Sequence, residues 1–337
     1  MKKARRRSMP RNPRYFESGC VYEIVFRAKS SLPFVAYTFM NYVIQCVLAR
    51  VQRDNKVILC HDLWNGSHPH LIVVSKDAEQ LRNFYAEVEK KITDILKRLL
   101  GRDYLNVWED HCSVSKLGDL EAAKNHIAYL YANPGKDHLE ENIESYPGSS
   151  SWSQFQQCQS GLDTEVSEVY PWLRLNSIPR ISDGGLSIEQ DLEVLAILKE
   201  KNKELHTLTR FPNAWMKCFG VEEENVSQIN AQIIASLRSK EAVAREERIL
   251  TGRRVMGANK LRREPLLKSH TPKKRSGKIY IITTIKEVRL EFMNRMEEFK
   301  FRCRDCYRRW RNGEIDIKWP PEAFKPSFPP ILNLLPS

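Results

Sequence analysis

The sequence predicts an α+β fold, on three observations. Residues 20–135 alternate short β-branched and aromatic runs with longer helical periodicities, in the order β-α-β-β-α-β-α. A Ser/Gln/Gly-rich stretch, "YPGSSSWSQFQQCQSGLDTE" (146–165), then marks a boundary. Beyond it, helical patterns dominate.

The elements follow in order. "CVYEIVFRA" (20–28) reads as a strand through Val21, Ile24, Val25 and Phe26. From about Val35, residues Phe39, Tyr42, Val43, Cys46, Val47 and Val51 recur at helical spacing. "KVILCHDLW" (56–64) and "PHLIVVS" (69–75) are strands, joined as a hairpin across Asn65-Gly66-Ser67. Residues 76–101 form a long amphipathic helix, with Asp77 placed to cap it and Gly101 to end it. "LNVWEDHCSV" (105–114) is a fourth strand. "LGDLEAAKNHIAYLYANPG" (117–135) is a helix ended by Asn133-Pro134-Gly135. This order is the split βαβ, ferredoxin-like pattern, an antiparallel sheet with helices covering one face.

The expected organisation is a basic N-terminal arm over 1–18, a core domain over 19–158 and a linker over 159–186. A mostly helical basic region follows over 187–318, with helices near 187–205, 221–250 and 285–312 and a strand-like run at 278–284. A Pro-rich tail covers 319–337. The sequence has no internal repeat.

No apolar run is long enough to cross a membrane, and "MKKARRRSMPRNPRYF" lacks the apolar centre of a signal peptide. A cytoplasmic, nucleoid-associated protein is expected. Eight cysteines are scattered, and only Cys303 and Cys306 form a C-x-x-C pair. With no second pair, and within a helical pattern, they read as packed thiols rather than a zinc site or a disulfide scaffold.

The net charge of +12 is concentrated. Residues 1–14 carry seven cations and no acid, and residues 251–278 carry ten cations against Glu264 alone. Two such blocks point to a polyanion, nucleic acid above all. Arg11, Arg14, Arg253, Arg254, Lys273, Lys274 and Arg275 are candidate phosphate contacts, which give salt-dependent affinity without reading sequence.

The candidate site begins in "LWNGSHPHLIVV" (63–74). In a strand, His68 and His70 point to one face about 7 Å apart, while Pro69 points to the other. Proline there suits a strand start or an edge. Alone, the pair also reads as two polar side chains entering a buried strand. In "YLYAN", Tyr129 and Asn133 are i,i+4 neighbours on one helix face. A helix lying on the open face of the sheet would bring that phenol and amide to the histidines. Two imidazoles and an amide oxygen form an open N/O set suited to Mg²⁺ or Mn²⁺ rather than structural zinc. A tyrosine beside such an ion is a candidate nucleophile.

Other residues carry two readings. Tyr131 faces elsewhere on the helix, and His126 shares the Tyr129 stripe at i−3. His61, Glu109, Asp110 and His111 have no spacing that demands a role. Trp152 and Phe155 either stack on unpaired bases or pack across the boundary. The aromatic-basic end of the last helix, Tyr307 to Arg311, either touches DNA or docks on the core.

These motifs together resemble the single-tyrosine HUH transposases, and most closely the REP-associated tyrosine transposases. "MPRNPRYFESGCVYEIVFRAK" from Met9 is similar to that family's opening, which makes residues 1–8 an expected upstream-start artefact. "LWNGSHPHLIVV" resembles its histidine motif, "AYLYANP" its tyrosine motif, and "YPGSSSWSQF" its closing Trp-Ser segment. The resemblance covers about 9–155. Ser67 stands where the family usually has Asn, and Pro69 where it has an apolar or aromatic residue.

The resemblance implies a single-stranded DNA endonuclease and strand transferase acting on hairpin or palindromic-repeat DNA, as a monomer or homodimer. It implies that His68 and His70 hold Mg²⁺ or Mn²⁺ with Asn133 as third ligand. It implies that Tyr129 attacks phosphorus to give a 5′-phosphotyrosine. A DNA-binding relative with weakened cleavage and an unrelated metal-dependent hydrolase are the alternatives.

Overall fold

The computed structural model describes residues 14–29, 34, 37–109, 112–181, 186–266, 268 and 278–326. Its frame is one seven-stranded sheet in the order β5-β6-β2-β3-β1-β4-β7. The central strands are β1 (Cys20–Val25), β2 (Ile58–Asn65), β3 (His68–Ser75) and β4 (Ser113–Leu117). β3 lies between β2 and β1, β1 lies between β3 and β4, and each of these pairs is antiparallel.

Three outer strands widen the sheet, and one of them, β7, falls in the strand-like run expected at 278–284. β5 (Val166–Pro171) pairs antiparallel with β6 (Leu205–Arg210), but β6 joins β2 in parallel. β7 (Ile281–Ile282) joins β4 in parallel. The sheet is therefore mixed, not antiparallel. The stretch 159–186, expected as a linker, supplies β5, and the mostly helical region supplies β6 and β7. The physical reason lies in β6, "LHTLTR". Its inward residues are His206, Leu208 and Arg210, so the period-2 burial is carried largely by polar side chains.

Arg210 is accommodated because it is paired. Its Nε donates to Asp62 on β2 at 2.7 Å, and both side chains are fully buried. Nη2 donates to Gln45 Oε1 at 2.6 Å and Nη1 to Glu168 on β5 at 3.1 Å. One guanidinium thus ties three elements together.

Helices cover both faces of the sheet rather than one. α1 (Thr38–Asn55) and α2 (Ala78–Leu99) pack Val43, Ile44, Leu81 and Val88 on Tyr22, Ile24, Leu71 and Val73. α3 (Leu120–Lys136) and α6 (Val226–Thr251) pack Ile127, Leu130, Ile233 and Leu237 on Val21, Cys60 and Ile72. Each fully buried aliphatic side chain contributes about 1.5–3 kcal/mol by leaving water. The strand alternation sorts β1 between the layers, and it turns Glu23 toward the α3 side with Val21.

Caps fix the helix starts that matter for the site. The Asp77 carboxylate accepts from Gln80 N at 2.7 Å, and Asp119 accepts from Ala122 N at 2.7 Å. Asp119 also accepts from Thr284 N at 2.7 Å, which binds the chain after β7 to the start of α3. The fourth strand begins at Ser113, later than the sequence pattern suggests. Among its described residues the preceding run makes a bridge between Trp108 and Ala28, and β1 takes its ladder partners from Ser113–Lys116.

The remaining helices are α4 (Trp152–Gln157), α5 (Ile188–Lys201), α7 (Ala258–Leu261) and α8 (Lys286–Arg311). α8 docks through Phe292, Met296, Phe299 and Cys303, and the Tyr15 ring lies 5.4 Å from Phe292 and 5.2 Å from Phe299. Cys303 and Cys306 are buried free thiols. Among the described residues no helix is long and apolar enough to cross a membrane.

Candidate active site

The hairpin between β2 and β3 sets the histidines. Gly66 takes φ 54°, which permits the two-residue Gly66-Ser67 turn. His68 and His70 then converge as i and i+2, their ring centroids 5.3 Å apart. Pro69 fits this place. It stands opposite Trp64, whose amide donates to Ser149 O at 2.8 Å and whose carbonyl accepts the Tyr146 hydroxyl at 2.6 Å. The nitrogen and carbonyl of Pro69 both face the other way, where the carbonyl accepts from Phe26 N at 2.9 Å. Phe26 is one residue past the end of β1, so the missing N–H falls at the end of the ladder.

A carboxylate absent from the sequence reading organises the centre. Glu23 is 5% exposed, and its Oε1 lies 2.7 Å from His70 Nδ1 and 2.8 Å from His126 Nε2. Burial favours the neutral acid, but His126 and His70 hold its pKa far below the ordinary value. Burial also opposes charge on His126, yet the facing Glu23 carboxylate raises the pKa of that imidazole. Burial lowers the pKa of His70, with Glu23 only partly offsetting it, so His70 stays neutral. Against a carboxylate its Nδ1 is the donor, which leaves Nε2 with the lone pair. That Nε2 is buried and has no hydrogen-bond partner.

The contacts close into a circuit. The His126 ring stacks on Tyr129, centroids 5.8 Å apart at 26°. Tyr129 is half-buried, and its hydroxyl accepts from Lys136 Nζ at 3.0 Å. The next residue, Asp137, places Oδ2 3.3 Å from His68 Nε2 and accepts from Asn65 Nδ2 at 2.7 Å. Asn65 Nδ2 also lies 3.2 Å from His68 Nε2. From His70 through Glu23, His126, Tyr129, Lys136, Asp137 and His68, each residue touches or adjoins the next.

Asn133 lies one helical turn from both Tyr129 and Asp137, on their face of α3. It is 2% exposed, and its Nδ2 has no partner. Among the described residues no three His, Cys, Asp or Glu side chains converge as a metal cage. The possible donors are His68 and His70, side by side on β3, and the buried Asn133 amide on α3. The bare, buried His70 Nε2 backed by Glu23 is the arrangement in which a carboxylate orients a ligating histidine.

The rival residues are placed elsewhere. Tyr131 is fully buried, with its hydroxyl 2.8 Å from His61 Nδ1 and 2.9 Å from Ser151 Oγ. Phe155 stacks on it and Trp152 meets it edge-on, so those two aromatics pack inside rather than face bases. Arg14 is turned inward. Its Nη2 donates to Cys112 O at 3.0 Å, and its guanidinium lies over the Tyr85 ring at 4.9 Å. Arg253 and Arg254 are exposed, and Arg253 Nη1 reaches His138 Nε2 at 3.4 Å, next to Asp137. Arg11, Asp110, His111, Lys273, Lys274 and Arg275 lie outside the described residues.

Sequence reasoning missed Glu23, Lys136, Asp137 and Asn65. The signal for Glu23 was present, a lone acid at the centre of "CVYEIV". Lys136 and Asp137 were hidden by Pro134-Gly135, which reads as a helix stop, whereas α3 runs on to Lys136.

No family model matches the sequence, and no curated protein matches it. Among solved structures the chain is similar to one described as the structure of "the REP associates tyrosine transposase bound to a REP hairpin". The identity is 16%, the match covers 44% of this chain and 87% of that one, and the TM-score is 0.39.

Proposed function

We propose that this protein is a transposase-like single-stranded DNA endonuclease and strand transferase with a tyrosine nucleophile, built on a ferredoxin-like split βαβ core. The observation that carries the reading is the run of contacts from His70, bare at Nε2, through Glu23 and His126 to the half-buried Tyr129 ring. The motif order in the sequence and the two basic blocks support DNA as the substrate.

His68 and His70 would hold Mg²⁺ or Mn²⁺, with the Asn133 amide as third donor. Such an ion supplies Lewis-acid polarisation of a phosphodiester. Tyr129 Oη attacks phosphorus and the new O–P bond forms as the bond to the 3′-oxygen breaks; the phenol proton passes to solvent, the released oxygen takes one up as a 3′-hydroxyl, and a 5′-phosphotyrosine results. Lys136 Nζ, which donates to the phenol oxygen at 3.0 Å, holds that oxygen in place for the attack. Arg253, which reaches His138 beside Asp137, and the exposed Arg254 would neutralise phosphates of the strand. Reversal by a second 3′-hydroxyl conserves the bond energy and rejoins DNA.

Covalent capture tests the reading. The protein is incubated with labelled hairpin oligonucleotides and Mn²⁺, then run on a denaturing gel. A protein–DNA adduct that disappears in Tyr129→Phe is expected. Binding without any adduct across many hairpins points to a DNA-binding relative. Cleavage that survives Tyr129→Phe but not His68→Ala points to a metal-dependent hydrolase.

A further inference from the structure

The last turn of α3 carries Asn133 and Lys136 and leads directly into Asp137, yet its own sequence resists helix formation. Pro134 has no N–H for the ladder, and proline inside a helix costs about 3 kcal/mol. Gly135 adds about 1 kcal/mol relative to alanine. His138 then leaves the helix at φ 58°, a left-handed conformation that costs a non-glycine residue roughly 1–2 kcal/mol. From sequence alone the helix should end within Asn133-Pro134-Gly135.

What opposes this comes from residues 248–258. Arg248 on α6 is 3% exposed, and its Nη1 donates to Gly135 O at 2.7 Å. Its Nη2 is paired with Glu141. Beyond α6 the chain runs beside the exit of α3, where Met256 N donates to His138 O at 2.8 Å and Gly257 N to Leu139 O at 3.0 Å. Glu140 accepts from Ala258 N. The carbonyls of Gly135, His138 and Leu139 are thus each bonded to one later segment of chain, beside the local bonds from Leu139 N to Pro134 O and from His138 N to Gly135 O. A buried guanidinium on a buried carbonyl is among the stronger single contacts available.

We infer that the segment from Arg248 to Ala258 clamps the last turn of α3, and that Arg248 is a positioning residue for Asn133, Lys136 and Asp137. The inference deepens the reading of a tyrosine-nucleophile site and rests on it for its functional part. Its physical part, an ordered turn held by Arg248, stands independently. The catalytic set is then completed by chain that lies over 110 positions downstream of it in sequence, as the Arg248–Gly135 separation of 113 residues shows.

Hydrogen exchange and covalent capture on the full chain test it together. In Arg248→Met, the amides of residues 136–140 exchange about tenfold faster or more, while those of β1 and β3 keep their rates. Adduct formation slows by about tenfold with hairpin affinity within about twofold, the split expected when positioning alone is lost. Arg248→Lys recovers part of both. Pro134→Ala in the Arg248→Met background recovers more, because the missing N–H is restored and the turn needs the clamp less. Unchanged exchange at 136–140 in Arg248→Met overturns the inference. So does a uniform acceleration across the sheet that Pro134→Ala fails to relieve. If the wild-type chain forms no adduct at all, the tyrosine-nucleophile reading fails while the exchange result still decides the clamp.

Discussion

Glu23 determines which nitrogen of His70 is bare: its Oε1 sits 2.7 Å from Nδ1, and Nε2 is left buried without a partner. A neutral imidazole held this way keeps one tautomer and one ring orientation. Glu23→Gln weakens the charge-assisted bond and frees the ring to turn. We predict a fall of about 10–100-fold in Mn²⁺ affinity, the usual range for losing such an orienting partner. Isothermal titration measures it. Unchanged affinity would show that His70 Nε2 is not a metal donor.

The two tyrosines of "YLYAN" separate by readout. Tyr131 is bonded to His61 and Ser151 in the core, so Tyr131→Phe leaves buried polar atoms unpaired and costs about 1–3 kcal/mol. Tyr129 is half-buried and, among the described residues, Lys136 is the hydrogen-bond partner of its hydroxyl, so Tyr129→Phe leaves urea stability within about 0.5 kcal/mol. The adduct shows the reverse pattern, surviving in Tyr131→Phe and absent in Tyr129→Phe. Loss of the adduct in a folded Tyr131→Phe variant would reassign the nucleophile.

How far the sequence could be read follows from where polar residues face inward. The hairpin, α1 and α2 announced themselves because apolar positions kept strict period. That His68 shares a strand face with His70, and Tyr129 a helix face with Asn133, was legible because spacing alone fixes it. Glu23 was not, since one acid in an apolar strand reads as an interruption until its partners on β3 and α3 are known. β6 was not, since His206 and Arg210 occupy its inward positions. Lys136 and Asp137 were not, since Pro134-Gly135 ends a helix unless Arg248 bonds its carbonyl.

Arg210 makes the later half of the chain part of the same cooperative unit. Replacing it by methionine leaves Asp62 buried and uncompensated, and breaking such a pair costs about 3–5 kcal/mol. Unfolding in urea should stay a single transition with a lower midpoint. A new early transition, with β1–β3 exchange protection intact, would show instead that β5 and β6 fold separately.

Arg253 and Arg254 are predicted to act through charge alone. Each phosphate contact on single-stranded DNA contributes about 0.7 to the slope of log affinity against log salt. Replacing both by alanine should lower that slope by about 1.4 and weaken all hairpins alike. A change in which hairpin is preferred, with the slope unaltered, would assign them to base reading.

His61 predicts how stability depends on pH. It is fully buried beside Tyr131, and burial lowers its pKa to about 3. The unfolded chain takes up that proton near pH 6.5, the folded chain only near 3. Between those values the unfolded state binds more protons, so stability rises with pH and falls as the solution is acidified. The slope from this one group is at most about 1.4 kcal/mol per pH unit. His61→Gln keeps a polar partner for Tyr131 but cannot titrate. Urea denaturation of both proteins from pH 7 to pH 4 isolates the effect, because other acids titrate equally in each. The stability gap between wild type and His61→Gln should narrow steadily below pH 6.5. A gap that stays constant would mean that His61 is protonated in the folded protein as readily as in the unfolded chain.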